Sequence, residues 1–312
     1  MGIQQITKTA EILIAQGVKK SNYIAPVCRV GSAEKLGLNL KELITDTVQF
    51  NQRNSEFVPL ETMKNAVKYA KEVLGIKKFS MSNLGMANYT LQGLSRIKAL
   101  TGTDIGITKV ISKKVLIDPI TKIPNSNITG MINAEKGVLT LCEDAMIRDF
   151  SEKIGRLAQM DNKNIKEYLK LLENLENGDV PLCEIMQRLK KLNFKPANIY
   201  DLPNQTVSHE LWHRLHFLNC KKQGIDYYKL GKAEELIADN IKDTRFLDEF
   251  KSPEIQKIIS DYKFLGNYAK ASPCEFVAEV GSILGNGIEP PQKIMELYYK
   301  YGGPRINLQL LK

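Results

Sequence analysis

Histidine is scarce in this chain, with three in 312 residues. Cysteine offers no framework either. The five cysteines (Cys28, Cys142, Cys183, Cys220 and Cys274) are odd in number, widely scattered and never spaced as a C-x-x-C pair, which argues against both a thiolate zinc site and a disulfide-stapled fold. A reducing compartment suits them. No stretch approaches the ~20 consecutive apolar residues of a bilayer crossing, so no transmembrane segment is expected. Met1 to Ile14 is interrupted by Gln4, Gln5, Lys8 and Glu11 instead of showing the basic end and greasy run of a secretory leader. Gly2 is followed by Ile6 where a myristoylation signal carries Ser or Thr. The expected location is the cytoplasm at synthesis, any export using a route without a signal peptide. Long runs of one charge are missing too. The net charge is +9, but the basic residues stand singly or in pairs such as Lys19-Lys20 and Lys113-Lys114 with acids interleaved, and no nucleic-acid partner is expected. Internal repeats and low-complexity tracts are absent as well.

What remains is an ordinary globular composition, 43% hydrophobic and 25% charged, long enough for one large domain or two modest ones. Residues 1–55 carry no strong period and end in the polar Asn51 to Ser55 stretch, which reads as an N-terminal segment or linker. Residues 56–312 read as the main domain. Leu60 to Leu74 and Met86 to Leu100 have helical periodicity and stop at Gly75 and Gly102; Ile76 to Ser80 reads as a short strand between them. Ile105 to Ile117 is rich in Ile and Val and reads as interrupted strand. Ile128 to Cys142, turning through Ala134 to Gly137, reads as a hairpin. Beyond Ala145 the pattern is helical to the C-terminus, apart from a loop at Pro196 to Pro203. Within it, residues 146–200 either form an insertion that covers a cleft or belong to the fold itself. A small sheet followed by a mainly helical half gives an α+β class.

All three histidines fall within eight residues. His209-Glu210-Leu211-Trp212-His213 is an HExxH sequence, and His216 follows. On an α-helix, positions i and i+4 share a face, so His209 and His213 can aim ring nitrogens at one Zn²⁺. Glu210, ~100° round the helix, reaches beside the ion instead of binding it and can act as a general base toward an activated water. Val207, Leu211, Leu215 and Leu218 form an apolar stripe nearly opposite the histidines, able to pack into the core. The alternative is an ordinary amphipathic helix whose histidines line its polar face. His216 lies ~10.5 Å along the axis from His209, too far to share one ion, and no glycine breaks the helix after His213; it is expected in the cleft wall or just behind the ligands. Trp212 and Phe217 flank the motif and are expected to be packed, the alternative being that they shape a side-chain pocket.

With no further histidine available, the third ligand must be a carboxylate. Glu275 and Glu279 share a helical face at i, i+4, so that Glu275 can bind the ion while Glu279 accepts the spare N–H of a ligand histidine. A second reading stands beside this one. Ser272-Pro273-Cys274-Glu275 is also a helix start, in which Glu275 closes a capping box and Glu279 becomes the ligand.

The HExxH window, Val207 to Leu218, together with Tyr268, six residues, Glu275, three residues and Glu279, resembles the lethal-factor-like branch of the gluzincin zinc metalloproteases. That resemblance implies a zincin-like fold, zinc held by His209, His213 and Glu275, Glu210 as general base, Glu279 behind the ligands and Tyr268 stabilising the oxyanion. It implies a zinc-dependent peptidase acting on a peptide or protein substrate, the alternative being a zincin-like binding or structural protein without catalysis. Two further expectations follow. The 128–142 hairpin would supply an edge strand for an extended peptide. Cys28, in the irregular Ala25 to Gly31 stretch, is either a small buried hydrophobe or a thiolate able to occupy an open zinc position and keep the enzyme latent.

Overall fold

In a computed structural model of the chain, the residues described are 57–160, 165–177, 180, 182–191, 198–201 and 204–306. The 1–55 segment and Cys28 lie outside them. The first half builds a four-stranded sheet against a central helix. Helix α1 (Met63–Glu72) leads to β1 (Lys78–Ser80) and α2 (Leu84–Thr101). Then come β2 (Lys109–Ser112), a short antiparallel pair of β3 (Leu116–Ile117) and β4 (Pro124–Asn125), and the hairpin of β5 (Gly130–Asn133) and β6 (Val138–Leu141). The sheet order is β1-β2-β6-β5. The first three of these strands run parallel; β5 is antiparallel to β6 and forms one edge.

Helix α2 is placed by its caps. The Asn83 side chain accepts from the Met86 N–H at 2.9 Å. The buried Glu143 carboxylate accepts from the Ser82 and Asn83 N–H groups at 2.9 and 2.6 Å, putting negative charge at the helix N-terminus where the dipole favours it. At the other end Gly102 takes the left-handed conformation and closes on the Lys98 carbonyl. The helix thus stops where its sequence predicts.

The helical half begins with α3 (Glu143–Met160), α4 (Ile165–Asn177) and α5 (Leu182–Lys191). Phe150, Ile154, Tyr168, Leu171, Ile185 and Leu189 from this region join the core formed with α1, α2 and the sheet. Helix α6 (Gln205–Gln223) carries the histidine motif and is followed by α7 (Ala233–Ala238), α8 (Arg245–Phe250), α9 (Pro253–Asp261), α10 (Pro273–Gly285) and α11 (Gln292–Lys300). A second core gathers Phe250, Ile255, Ile259, Phe276, Val277 and Tyr298 with their neighbours. The architecture is α+β, a small mixed sheet with mostly helical content. Among the described residues no helix is long and apolar enough to cross a membrane.

Helices α6 and α10 meet along the seam between the two cores. Val207, Leu211 and Trp212 on α6 and Ala278 on α10 belong to the first core, whereas Cys220 on α6 and most apolar residues of α10 belong to the second. The approach is close because α10 presents Gly281 to the fully buried Trp212 ring, where any Cβ would overlap the indole. Gly281→Ala is therefore expected to cost about 1–3 kcal/mol by overpacking. Urea unfolding measures it, and an unchanged midpoint would show that the helices can separate freely.

Candidate metal centre

The sheet edge and α6 are fixed to one another before any ligand is placed. Arg214 donates from Nε to the Gly106 carbonyl at 3.1 Å and from Nη1 to the carbonyls of Ala134 and Glu135 in the hairpin turn. Thr206 and Thr129 pair through their hydroxyls at 3.1 Å. Gly130, the first residue of β5, lies against the Thr206 methyl and Glu210 Cγ with no room for a side chain. Strand β5 therefore runs directly beside Glu210. At its C-terminus α6 ends on Gly224, at φ 71°, with Lys221 and Lys222 in the last turn, where cations suit the helix dipole.

Three ligand-type atoms converge between α6 and α10. His209 Nε2 and His213 Nε2 are 3.1 Å apart, and Glu275 Oε2 stands 3.1 Å from the first and 3.2 Å from the second. Ligands set tetrahedrally at ~2.0–2.1 Å from zinc are ~3.3 Å from one another, close to these edges. Two imidazole lone pairs and a carboxylate facing one another so closely repel unless a proton or a cation stands among them. This buried His-His-Glu group can hold a metal ion, and among the described residues it is the one grouping of that kind. His209 and Glu275 are buried, while the His213 side chain keeps 12% of its surface exposed. The cluster is thus not fully sealed from solvent.

The outer nitrogens of both histidines are engaged. Glu279 Oε1 sits 3.0 Å from His209 Nδ1, paired with it although not aligned as a straight hydrogen bond. Tyr227, in a 3₁₀ turn (Tyr227–Leu230), sets its hydroxyl 3.2 Å from His213 Nδ1. Such partners turn each ring so that Nε2 faces inward. Burial works against a charged His209, but the Glu275 and Glu279 carboxylates outweigh it and hold this histidine well above its ordinary pKa. Burial likewise opposes ionised Glu275, yet His213 and His209 keep its carboxyl well below the usual range. Glu210 moves the other way, raised chiefly by burial and partly offset by His209 and His213. A carboxylate so raised is better matched to proton transfer near neutrality.

The geometry at the Ser272 start bears on both readings of Glu275. Ser272 does cap α10, its hydroxyl accepting from the Glu275 backbone N–H at 3.3 Å, but the Glu275 carboxylate turns to the histidines. Tyr268, in a 3₁₀ turn (Asn267–Lys270), also arrives: its hydroxyl donates to Glu275 Oε1 at 2.9 Å. Trp212 is fully buried. Phe217 is partly buried, its ring meeting Tyr227 and Tyr228.

Of the two positions expected for His216, the structure shows it behind the ligands and not in a cleft wall. It is fully buried, its Nε2–H donating to the Tyr301 carbonyl at 2.7 Å and its ring edge-on to Tyr227. It therefore supports, from behind, the tyrosine that touches His213. The helical period gives the right face for His216, but the α11 C-terminus and the 227–230 turn, which cover that face, leave no mark in α6 itself. Tyr227 and Lys232 are the site residues that sequence reasoning missed. Lys232 Nζ pairs with Glu275 Oε1 at 2.6 Å. One weak cue existed, the acidic Glu234-Glu235 pair at the start of α7, which marks a helix N-terminus at Lys232.

Comparison of the chain with protein-family models, with curated proteins and with solved structures gives no match.

His216 provides a pH test of this packing. Burial first, against a partial offset from the Tyr301 carbonyl, lowers its pKa from 6.5 to about 3. A depressed folded pKa contributes stability that is complete above the unfolded value and is lost as pH falls toward 3, since the unfolded chain binds the proton first. Between pH 6 and 4, metal-free protein should thus lose on the order of 1 kcal/mol per pH unit from this residue. In His216→Gln that increment should vanish from the slope of urea-derived stability against pH. Parallel slopes for the two proteins would mean that His216 is not held neutral.

Proposed function

We propose that this chain is a zinc-dependent peptidase with a zincin-like catalytic domain of the lethal-factor-like gluzincin type. The observation that carries this reading is the triangle of His209 Nε2, His213 Nε2 and Glu275 Oε2 with edges of 3.1 to 3.2 Å. Its donor set of two imidazoles and one carboxylate is that of a catalytic zinc with an open position, unlike the closed four-ligand sets of structural sites. When bound there, zinc would supply Lewis-acid chemistry, making water a nucleophile at neutral pH and polarising the scissile carbonyl.

The remaining work falls to side chains and backbone. Glu210 stands next to His209 on the same helix, raised by burial, and takes the proton of the attacking water before passing it to the departing amine. The Tyr268 hydroxyl, now on Glu275 Oε1, can turn to the carbonyl oxygen as negative charge builds there. Strand β5 offers an edge beside Glu210, where an extended peptide can add by main-chain hydrogen bonds and lay its scissile bond over the histidines. His213, the ligand with surface left, marks the open side.

Elemental analysis of protein purified without a metal-affinity tag should find about one zinc per chain. Glu275→Ala should lose it, while Glu279→Ala, which removes an outer contact, should weaken binding about 10- to 100-fold. Equal zinc in all three proteins would exclude this ligand set.

For catalysis, Glu210→Gln should keep its zinc and cut turnover of a fluorogenic peptide library about 100- to 10,000-fold. If zinc-loaded parent cleaves no peptide, or the Gln variant cleaves as fast, the peptidase reading fails.

A further inference from the structure

The two oxygens of Glu275 have different neighbours. Oε2 faces His209 and His213. Oε1 is turned away from them and is held by Lys232 Nζ at 2.6 Å and by the Tyr268 hydroxyl at 2.9 Å. Lys232 Nζ also donates to the Tyr268 oxygen and lies over its ring, 4.4 Å from the centroid. Ammonium, hydroxyl and carboxylate thus close a ring around Oε1. Lys232 is well fixed, since it sits at the N-terminus of α7, its backbone N–H donates to Glu235 Oε2 at 2.9 Å and its side chain is 18% exposed.

A carboxylate with both oxygens free can ligate a cation through one or through both. Two-oxygen ligation would crowd the position that a catalytic site keeps open. A charge-assisted pair on Oε1 must be broken before that oxygen can turn toward the ion, and such pairs are the strong ones, more so when partly buried. Tyr268 alone cannot guarantee this, because its hydroxyl is the group that would leave Oε1 to serve the substrate. Lys232 stays behind.

We propose that Lys232 is a positioning residue whose ammonium retains Glu275 Oε1, so that Glu275 presents a single oxygen, Oε2, to the ion shared by His209 and His213. The inference rests on the metal-centre reading and assigns a role to a residue outside both sequence windows that support it. Its side chain is not expected to touch the ion or the substrate. Lys232 and Tyr227 lie five residues apart on one short segment, which thereby orients a histidine at one end and the carboxylate at the other.

Cobalt substitution tests the proposal without turnover, because four-coordinate Co²⁺ absorbs visible light strongly and higher coordination weakens the bands. Parent protein loaded with Co²⁺ should show the intense spectrum. Lys232→Met should lose most of it and bind zinc about tenfold more weakly in competition with a chromophoric chelator, while Lys232→Arg, which keeps the charge and the donors, should restore both. Circular dichroism of the metal-free proteins checks folding, and Lys232→Gln gives the same two readings should the Met variant unfold. A Lys232→Met protein with the parent's spectrum and affinity overturns the positioning role and leaves the metal centre standing. A parent that takes up neither metal overturns the metal centre and the inference together.

Discussion

The close crossing of α6 and α10 is the constraint on which the site depends. The histidines and their third partner lie more than sixty residues apart in sequence, and what joins them is the contact of Trp212 with the bare backbone at Gly281. A glycine there lets the two axes approach until a glutamate at the start of α10 reaches rings in the middle of α6. The helices cannot slide easily, because each has side chains in both hydrophobic cores. The cluster therefore sits at a seam whose two sides are separately packed, and burial is supplied by the fold and not by the polar residues themselves.

Burial makes the charge balance demanding. Glu210, Glu275 and Glu279 are three carboxylates against the single ammonium of Lys232. Glu279 is fully buried, with His209 Nδ1 as its near partner and both oxygens short of an aligned hydrogen bond. Uncompensated charge of this kind is costly in an interior. The Glu275 and Glu279 carboxylates accordingly hold His209 well above its ordinary range, and a divalent cation among them would offset the charge further. The same reasoning explains why His216, about two turns further along α6, behaves in the opposite way. It meets a carbonyl and an aromatic ring instead of carboxylates, so burial outweighs the Tyr301 carbonyl and lowers its pKa.

The sequence carried much of this where local rules decide and little where packing does. Helix ends at Gly102 and the 128–142 hairpin were readable because left-handed caps and short turns select their own residues. His209 and His213 were readable because a four-residue spacing on a helix has one geometric meaning. The parallel pairing of β1, β2 and β6 was not, since strands of three or four residues carry too few positions to show a period. Nor was the choice of β5 as the edge, which depends on which hairpin strand finds a partner. Ser272 to Glu275 was ambiguous for a sharper reason: the Ser272 hydroxyl caps the helix on the Glu275 backbone N–H, while the Glu275 carboxylate closes no capping box and faces the histidines. Tyr227 and Lys232 were hidden in a segment without periodicity, where a residue's role is set by what it is folded against.

That segment also differs from the rest of the chain between the two motifs. Residues 233–265 build α7, α8 and α9; Phe250 of α8 and Ile255 and Ile259 of α9 join the second core, and the three helices supply none of the three side chains of the triangle. The turn at 227–232 is different. It leaves α6 just past Gly224, lays Tyr227 against His213 and His216, and brings Lys232 to Glu275 before α7 begins. The capping bond from the Lys232 N–H to Glu235 fixes where that helix can start. The excursion that follows returns through the 267–270 turn to α10, which meets the Trp212 ring at Gly281. The site is thus held by the two ends of the connection and not by its middle, and its geometry follows from one helix crossing and one short turn.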